Sequence, residues 1–366
     1  MASKVYNVGV IGYGMSAKVF HIPLITVTPS FNLHSIVQRT PKPNDNAAHD
    51  HPSAKIYHSA DAMFQDPEID LIVVTTTPDT HYTFTKTALE AGKHVIVEKP
   101  FVPTAKEAED LVQISKKTGK LICVYQNRRW DSDFLTVRKL VETGTIGRVV
   151  EFETHFDRWK PVRPETWKGT LGMDQAGGVI YDLGVHVIDQ VYVLFGLPKS
   201  VTCVFSNQRN DGGEEPDSFT VLLGYGKGGP LVTAKAGVMC VAVEQLRFWV
   251  RGTKASYQKF HLDIQEDQLK TGLKPGDEGF GIESDDRAGS LVVMGEDNKP
   301  RQEVCKNVQP ETYAALYKAF AKAIAENSED AVPVKASQAA EVLRIIEAAR
   351  ESAKSGKTVN LGFEMS

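Results

Sequence analysis

The hexapeptide Gly12-Tyr13-Gly14-Met15-Ser16-Ala17 constrains this chain more than any other feature. It matches G-x-G-x-x-[G/A], follows the β-branched run Val5 to Ile11 and opens a helical pattern, and this context gives a weak pattern its weight. Gly12 permits a tight turn, Gly14 lets an anion approach the backbone, and Ala17 allows the helix to pack closely on the strand. The first N–H groups of the helix are then left to bind a pyrophosphate. Pro23 removes a backbone donor and is expected to cut or kink that helix early.

The βαβ texture continues through Tyr125. Asn32 to Gln38, Asp70 to Thr75, His94 to Val97 and Leu121 to Tyr125 read as strands separated by amphipathic stretches, the pattern of a parallel sheet. Thr104-Ala105-Lys106-Glu107 forms a capping box and Gly119 suits the end of the helix it opens. From Val149 the texture changes. Val149–Phe156, Val201–Phe205, Phe219–Tyr225, Leu231–Ala236 and Leu246–Arg251 follow one another mostly without helical connectors, which implies a largely antiparallel sheet in a second domain. One helix, Gly178 to Phe195, interrupts it, and Thr271–Gly289 reads as a loop. Tyr313, Leu316, Tyr317, Phe320 and Ile324, and later Val342, Ile345 and Ala349, recur at helical spacing.

A length of 366 residues agrees with two domains. With 42 Lys+Arg against 46 Asp+Glu, the net charge of −4 provides no global positive field for nucleic acid. Cys123, Cys203, Cys240 and Cys305 are scattered singly, which fits a reduced, cytoplasmic chain without structural zinc. No secretion signal is visible at the N-terminus, and no apolar run approaches the roughly 18 residues that span a bilayer.

Three further positions carry chemistry. A strand-two end that binds NAD usually carries Asp or Glu for the ribose 2′-OH, whereas this chain reads Ile36-Val37-Gln38-Arg39-Thr40. Arg39 could instead pair with a 2′-phosphate, pointing to NADP(H) in preference to NAD(H), or it could be a solvated loop arginine. Lys99 falls at the carboxyl end of a parallel strand, where open α/β sheets hold ligands, and position alone leaves it a cleft or a surface lysine. Asp182 and His186 are spaced i, i+4 on the predicted helix, as an orienter–base pair or as an ordinary hydrogen bond. His49 and His51 flank Asp50 in a polar loop, and no metal site is implied.

Together these residues resemble the Gfo/Idh/MocA family of NAD(P)-dependent sugar and polyol oxidoreductases. The resemblance rests on Gly12–Ala17, Thr77-Pro78-Asp79-Thr80-His81, Ala91-Gly92-Lys93-His94-Val95 leading into Glu98-Lys99-Pro100, and Asp182-Leu183-Gly184-Val185-His186. Gly144-Thr145-Ile146-Gly147 and Ile345-Ile346-Glu347-Ala348-Ala349 agree as well. Tyr125-Gln126-Asn127-Arg128-Arg129-Trp130-Asp131 and the Tyr181-Asp182-Leu183-Gly184 form look most like the NADP-linked branch with scyllo-inositol dehydrogenase.

The resemblance implies a Rossmann domain over residues 1–128 and an α/β domain over 129–366 with a large, mostly antiparallel open sheet. It further implies homo-oligomers formed through that sheet, and a small polyhydroxy substrate held between the domains. Lys99, Asp182 and His186 become the catalytic group. Cofactor contacts are expected from Gly12, Tyr13, Gly14, Met15, Ser16, Ala17, Arg39, Thr76, Thr77, Pro78, His81, Glu98, Lys99 and Gln126. Arg128, Arg158 and Trp159 are candidates for substrate hydroxyls. An NADP(H)-sensing regulator of the same fold, without turnover, is the alternative. Neither nucleic acid nor membrane is expected as a partner.

Overall fold

Every residue of Leu71–Val74 and His94–Val97 is buried, which a strand achieves only when both faces of its sheet are covered. A computed structural model, describing residues 4–309 and 311–362, places these runs in a six-stranded sheet. Its strands are β1 (Tyr6–Ile11), β2 (Phe31–Val37), β3 (Lys55–Tyr57), β4 (Leu71–Val74), β5 (His94–Val97) and β6 (Ile122–Val124). They lie in the order β3-β2-β1-β4-β5-β6, and every pair is parallel. Strand order reverses between β1 and β4, so the carboxyl ends there open on a ligand crevice. Backbone bonds such as Gly12 N to Val37 O at 3.2 Å, Thr75 N to Ile11 O at 3.0 Å and Glu98 N to Val74 O at 3.0 Å tie those ends together.

The capping box forms as expected, with Thr104 and Glu107 satisfying each other's backbone donors and Gly119 closing the helix at φ 66°. The helix after the glycine turn is neither cut nor regular. Ala17–His21 winds as a π-turn, with Ile22 N–H bonded to Ala17 O, and Ile22–Val27 then continues as α-helix. The wide turn takes up the register immediately before Pro23, whose nitrogen has no proton to donate.

This first unit runs through Trp130 and also takes in Gln265–Gly281 and Glu311–Ala340. The helix Ala314–Glu326, read from its apolar spacing, belongs to this unit.

The second unit begins at Asp131 and includes segments starting at Ile282 and Glu341. Its sheet has nine strands: β7 (Val149–His155), β8 (Ser200–Ser206), β9 (Ser218–Gly224), β10 (Leu231–Gly237), β11 (Leu246–Gly252), β12 (Ala255–Phe260), β13 (Gly289–Met294), β14 (Pro300–Cys305) and β15 (Val359–Asn360). The order is β14-β13-β12-β11-β7-β10-β9-β8-β15, antiparallel except for β10 against β7. Alternate residues point inward, as with Phe219, Val221 and Leu223 on β9 and Val232, Ala234 and Ala236 on β10. The opposite face leaves Val204, Leu222, Leu231 and Trp249 exposed.

The predicted helix Gly178–Phe195 is a π-turn over Ile180–Gly184 followed by α-helix over Val185–Phe195. Gly184 packs against β9: a Cβ there would lie 3.0 Å from the Phe219 ring and 2.9 Å from Ile180 Cγ1. The helical run Met173–Phe195 is long and apolar enough to cross a membrane by length and composition, a feature that Asp182, His186 and Asp189 mask in the sequence. Most of it is buried in this unit, as in the core helix of a globular domain.

The centre of the second unit is polar. Buried Arg247 donates to Asp133 Oδ2 at 2.9 Å, Thr154 Oγ1 at 2.8 Å and Gln190 Oε1 at 2.6 Å. Such a group is tolerated in a core only when its donors are matched.

Candidate active site

The first unit gathers a set of residues at the carboxyl ends of β1, β2, β4, β5 and β6. Gly12 turns at φ 102°, and a Cβ there would meet Thr75 Oγ1 at 2.9 Å, so the position admits only glycine. Gly14 has open space where a Cβ would stand. That is the cradle a pyrophosphate requires beside helix N–H groups, so the turn fits a dinucleotide. Tyr13 is fixed beside it by a 2.7 Å bond to Asp50 Oδ2, with Lys18 over its ring at 4.6 Å. Asp50 closes a short helix, Ala47–Asp50, where the sequence suggested a polar loop. Met15 is exposed and Ala17 fully buried, as the motif demands.

After β2, the side chain of Gln38 braces the following loop, donating to Asp45 O at 2.8 Å and accepting from Ala47 N at 2.8 Å. Gln38 is thereby occupied, and Arg39 stands exposed as the adjacent charge. After β4, the Thr76 and Thr80 hydroxyls pair at 2.6 Å, Thr77 precedes the helix Pro78–Glu90, and Pro78 occupies its first turn. His81 is fully buried, its ring nitrogens facing Pro100 O at 2.9 Å and Thr76 O at 3.1 Å, and burial pushes its pKa down. After β6, Gln126 is buried and its Oε1 has no partner among the described residues, an acceptor that suits a ligand amide.

Glu98 ends β5. Ser16 Oγ and His21 Nε2, the latter at 2.9 Å, meet its Oε1, while the Lys99 amide donates to Oε2 at 2.9 Å. Burial pushes the carboxyl up, but the His21 bond and charge, the Ser16 hydroxyl and the Lys99 cation outweigh it and hold it at about 2. Lys99 is half-buried, and its peptide bond to Pro100 is cis. Arg128, expected near substrate, is 4% exposed and ion-paired with Glu266.

In the second unit, Asp182 lies within the π-turn and accepts from Lys168 Nζ at 2.7 Å. Sequence reasoning missed Lys168, which no motif marks and which lies fourteen residues from its partner. His186 is 5% exposed, its ring 6.0 Å from that of Phe156. Arg158 places its guanidinium over the same Phe156 ring at 4.6 Å, so one aromatic side chain joins His186 and Arg158. Trp159 is exposed and bridges Met239 through the backbone. The first unit thus assembles a dinucleotide edge with a lysine, and the second an acid, an imidazole and two cations on or beside one helix.

Comparison with known proteins bears on both units. A family profile described as an oxidoreductase family, NAD-binding Rossmann fold matches residues 6–126, and another, described as an oxidoreductase family, C-terminal alpha/beta domain, matches 138–361. The chain is 40% identical over 356 residues to the uncharacterized oxidoreductase YdgJ of Escherichia coli (strain K12), covering 97% of this chain and 98% of that one. It is 37% identical over 357 residues to the scyllo-inositol 2-dehydrogenase (NADP(+)) IolW of Bacillus subtilis (strain 168), covering 97% and 96%. The crystal structure of an oxidoreductase from Bacillus cereus superposes with a TM-score of 0.86 at 30% identity, covering 99% of this chain and 100% of that one.

Proposed function

The chain belongs to the Gfo/Idh/MocA family of oxidoreductases, a nicotinamide-dependent enzyme family, and from that premise we propose an NADP-linked reaction on a polyol. The reaction moves a hydride between the cofactor and a carbinol or carbonyl carbon of a sugar, inositol or related compound, in the cytoplasm. The observation that carries this reading is the shared carboxyl edge, where the open space over Gly14 follows β1 and the half-buried Lys99 follows β5, with only β4 between them. NADP is favoured because no acid stands at the end of β2, Gln38 is engaged by its own loop, and Arg39 is exposed to pair bidentately with a 2′-phosphate. The NADP(+) in the name of IolW supports the same choice.

When bound, the cofactor supplies the hydride acceptor or donor at nicotinamide C4. Lys99 Nζ donates a hydrogen bond to the reacting oxygen and stabilises developing alkoxide charge. A ring nitrogen of His186 takes the hydroxyl proton during oxidation and returns it during reduction. Asp182, which accepts from Lys168 at 2.7 Å, is assigned to position Lys99 or His186. Arg158 is assigned to substrate hydroxyls, whereas the ion pair of Arg128 with Glu266 makes it a brace for the segment after β6.

The test compares NADPH and NADH dissociation constants for wild type and Arg39→Ala, then screens turnover across sugars, inositols and their keto forms. NADPH should bind more tightly, and Arg39→Ala should erase the difference. Lys99→Ala and His186→Ala should keep cofactor binding and lose roughly 10²–10⁴-fold in turnover. Near-normal rates in both variants would refute these roles. NADPH binding without turnover on any substrate, coupled to association with another protein, would favour a sensor.

A further inference from the structure

We propose that Glu98 is a positioning residue that couples the phosphate turn to Lys99, its carboxylate bonding protein groups on both oxygens. One oxygen receives Ser16, which belongs to the glycine turn, and the other receives the backbone amide of Lys99. A carboxylate is a rigid planar group. A displacement of Ser16 at one oxygen is therefore passed to the Lys99 backbone at the other.

The linkage is buried and charged, which makes it stiff. Glu98 is 8% exposed, and His21, fully buried, brings Nε2 to the same Oε1 while its Nδ1 meets Tyr317 Oη at 2.5 Å. The ring of Tyr125, just after β6, lies 4.3 Å from that of His21 and closes the cluster. Tyr317 lies on the helix Ala314–Glu326, so a returning segment of the first unit clamps the same carboxylate from a third direction. Charge-assisted bonds of this kind are about twice as strong as neutral ones, and in a dry setting each resists rearrangement. His81 fixes the far side of the lysine by facing Pro100 O. Lys99 is consequently held at its own amide by Glu98 and at the next residue by His81.

This inference rests on the cofactor reading only for its second arm. The first arm uses ligand-free protein and follows exchange of the Lys99 amide by hydrogen–deuterium exchange. Ser16→Ala should speed that exchange about tenfold, a coupling of ordinary size, while Ser16→Thr, which keeps a hydroxyl, should leave it near wild type. In a Glu98→Gln background, Ser16→Ala should add nothing. Unchanged exchange in Ser16→Ala overturns the proposal, as does simple additivity of the two substitutions. Should Glu98→Gln fail to fold, the Ser16→Ala and Ser16→Thr pair decides alone. The second arm adds NADPH, which should slow Lys99 amide exchange in wild type and do so less in Ser16→Ala. Full slowing in Ser16→Ala likewise counts against the coupling. Absence of NADPH binding by fluorescence, with the ligand-free effect intact, would refute the cofactor reading and leave the coupling standing.

Discussion

Stability of the second unit should fall as pH rises from about 4.5 to about 7, and Glu283 should be the cause. Its side chain is 4% exposed; Oε2 accepts from Lys259 Nζ at 2.9 Å and Asn307 Nδ2 at 2.7 Å, while Oε1 is buried without a partner among the described residues. Burial pushes its carboxyl up, Lys259 opposes this, and the nearby charges of Asp133 and Asp263 add to it, leaving it at about 7 against an ordinary 4.5. The folded state thus keeps a proton that the unfolded chain has released. Stability from this group is fully present below the unfolded value near 4.5 and is lost as pH rises through about 7.

The rise from 4.5 to about 7 corresponds at most to about 3 kcal/mol, and relaxation around a carboxylate with Lys259 beside it reduces the expected loss to roughly 1–3 kcal/mol. Glu283→Gln keeps a carbonyl for Lys259 and Asn307, supplies N–H donors where Oε1 stood, and cannot titrate. The variant should gain on wild type steadily from pH 5 to pH 8. Thermal unfolding at each pH, with hydrogen exchange of the β12 and β13 amides to localise the effect, reads the difference. Parallel pH profiles for the two proteins would refute the reasoning, because every other titrating group is common to both.

Lys168→Met leaves Asp182 without its 2.7 Å partner and should lower kcat/KM by roughly 10–100-fold through misplacement; unchanged NADPH affinity and recovery in Lys168→Arg would separate this from unfolding. Gly184→Ala adds a Cβ 3.0 Å from the Phe219 ring, an overpacking expected to cost about 1–3 kcal/mol, read as a lower Tm together with reduced turnover from the displaced helix. We propose that the exposed row Val204, Leu222, Leu231 and Trp249 is covered by a second copy of the chain, so Trp249→Glu should lower the sedimenting mass at micromolar concentration; a wild-type protein that already sediments as one chain would refute this.

Much of the fold was legible because burial leaves a mark on composition. β1, β2, β4, β5, β6 and β7 to β11 are β-branched or alternating runs, since their residues contact a core on one or both faces. β14 carries no such mark: Pro300-Arg-Gln-Glu-Val-Cys305 is exposed along most of its length and is a strand only because β13 pairs with it. β3, three residues long, is likewise defined by its pairing with β2. The two π-turns were also invisible, because a single wide turn changes no periodicity that a short helix could display. Pro23 signalled a disturbance and left open how the chain would absorb it.

The same distinction governs the site. Residue types with a chemical task, such as Gly12, Gly14, Lys99, Asp182 and His186, stand out because few other residues perform it. Their partners do not, because a partner needs only the right charge at the right place. Ser16 and Glu98 are 82 residues apart, His21 and Glu98 77, and Arg128 and Glu266 138. The resemblance implies a cofactor contact for Glu98, and its two oxygens also bond Ser16, His21 and the Lys99 amide. A motif therefore names the groups that meet a ligand or lie beside those that do, and telling the two apart requires knowing where each lone pair is already bound. For Glu98 that knowledge adds a loosened Lys99 to the predicted phenotype.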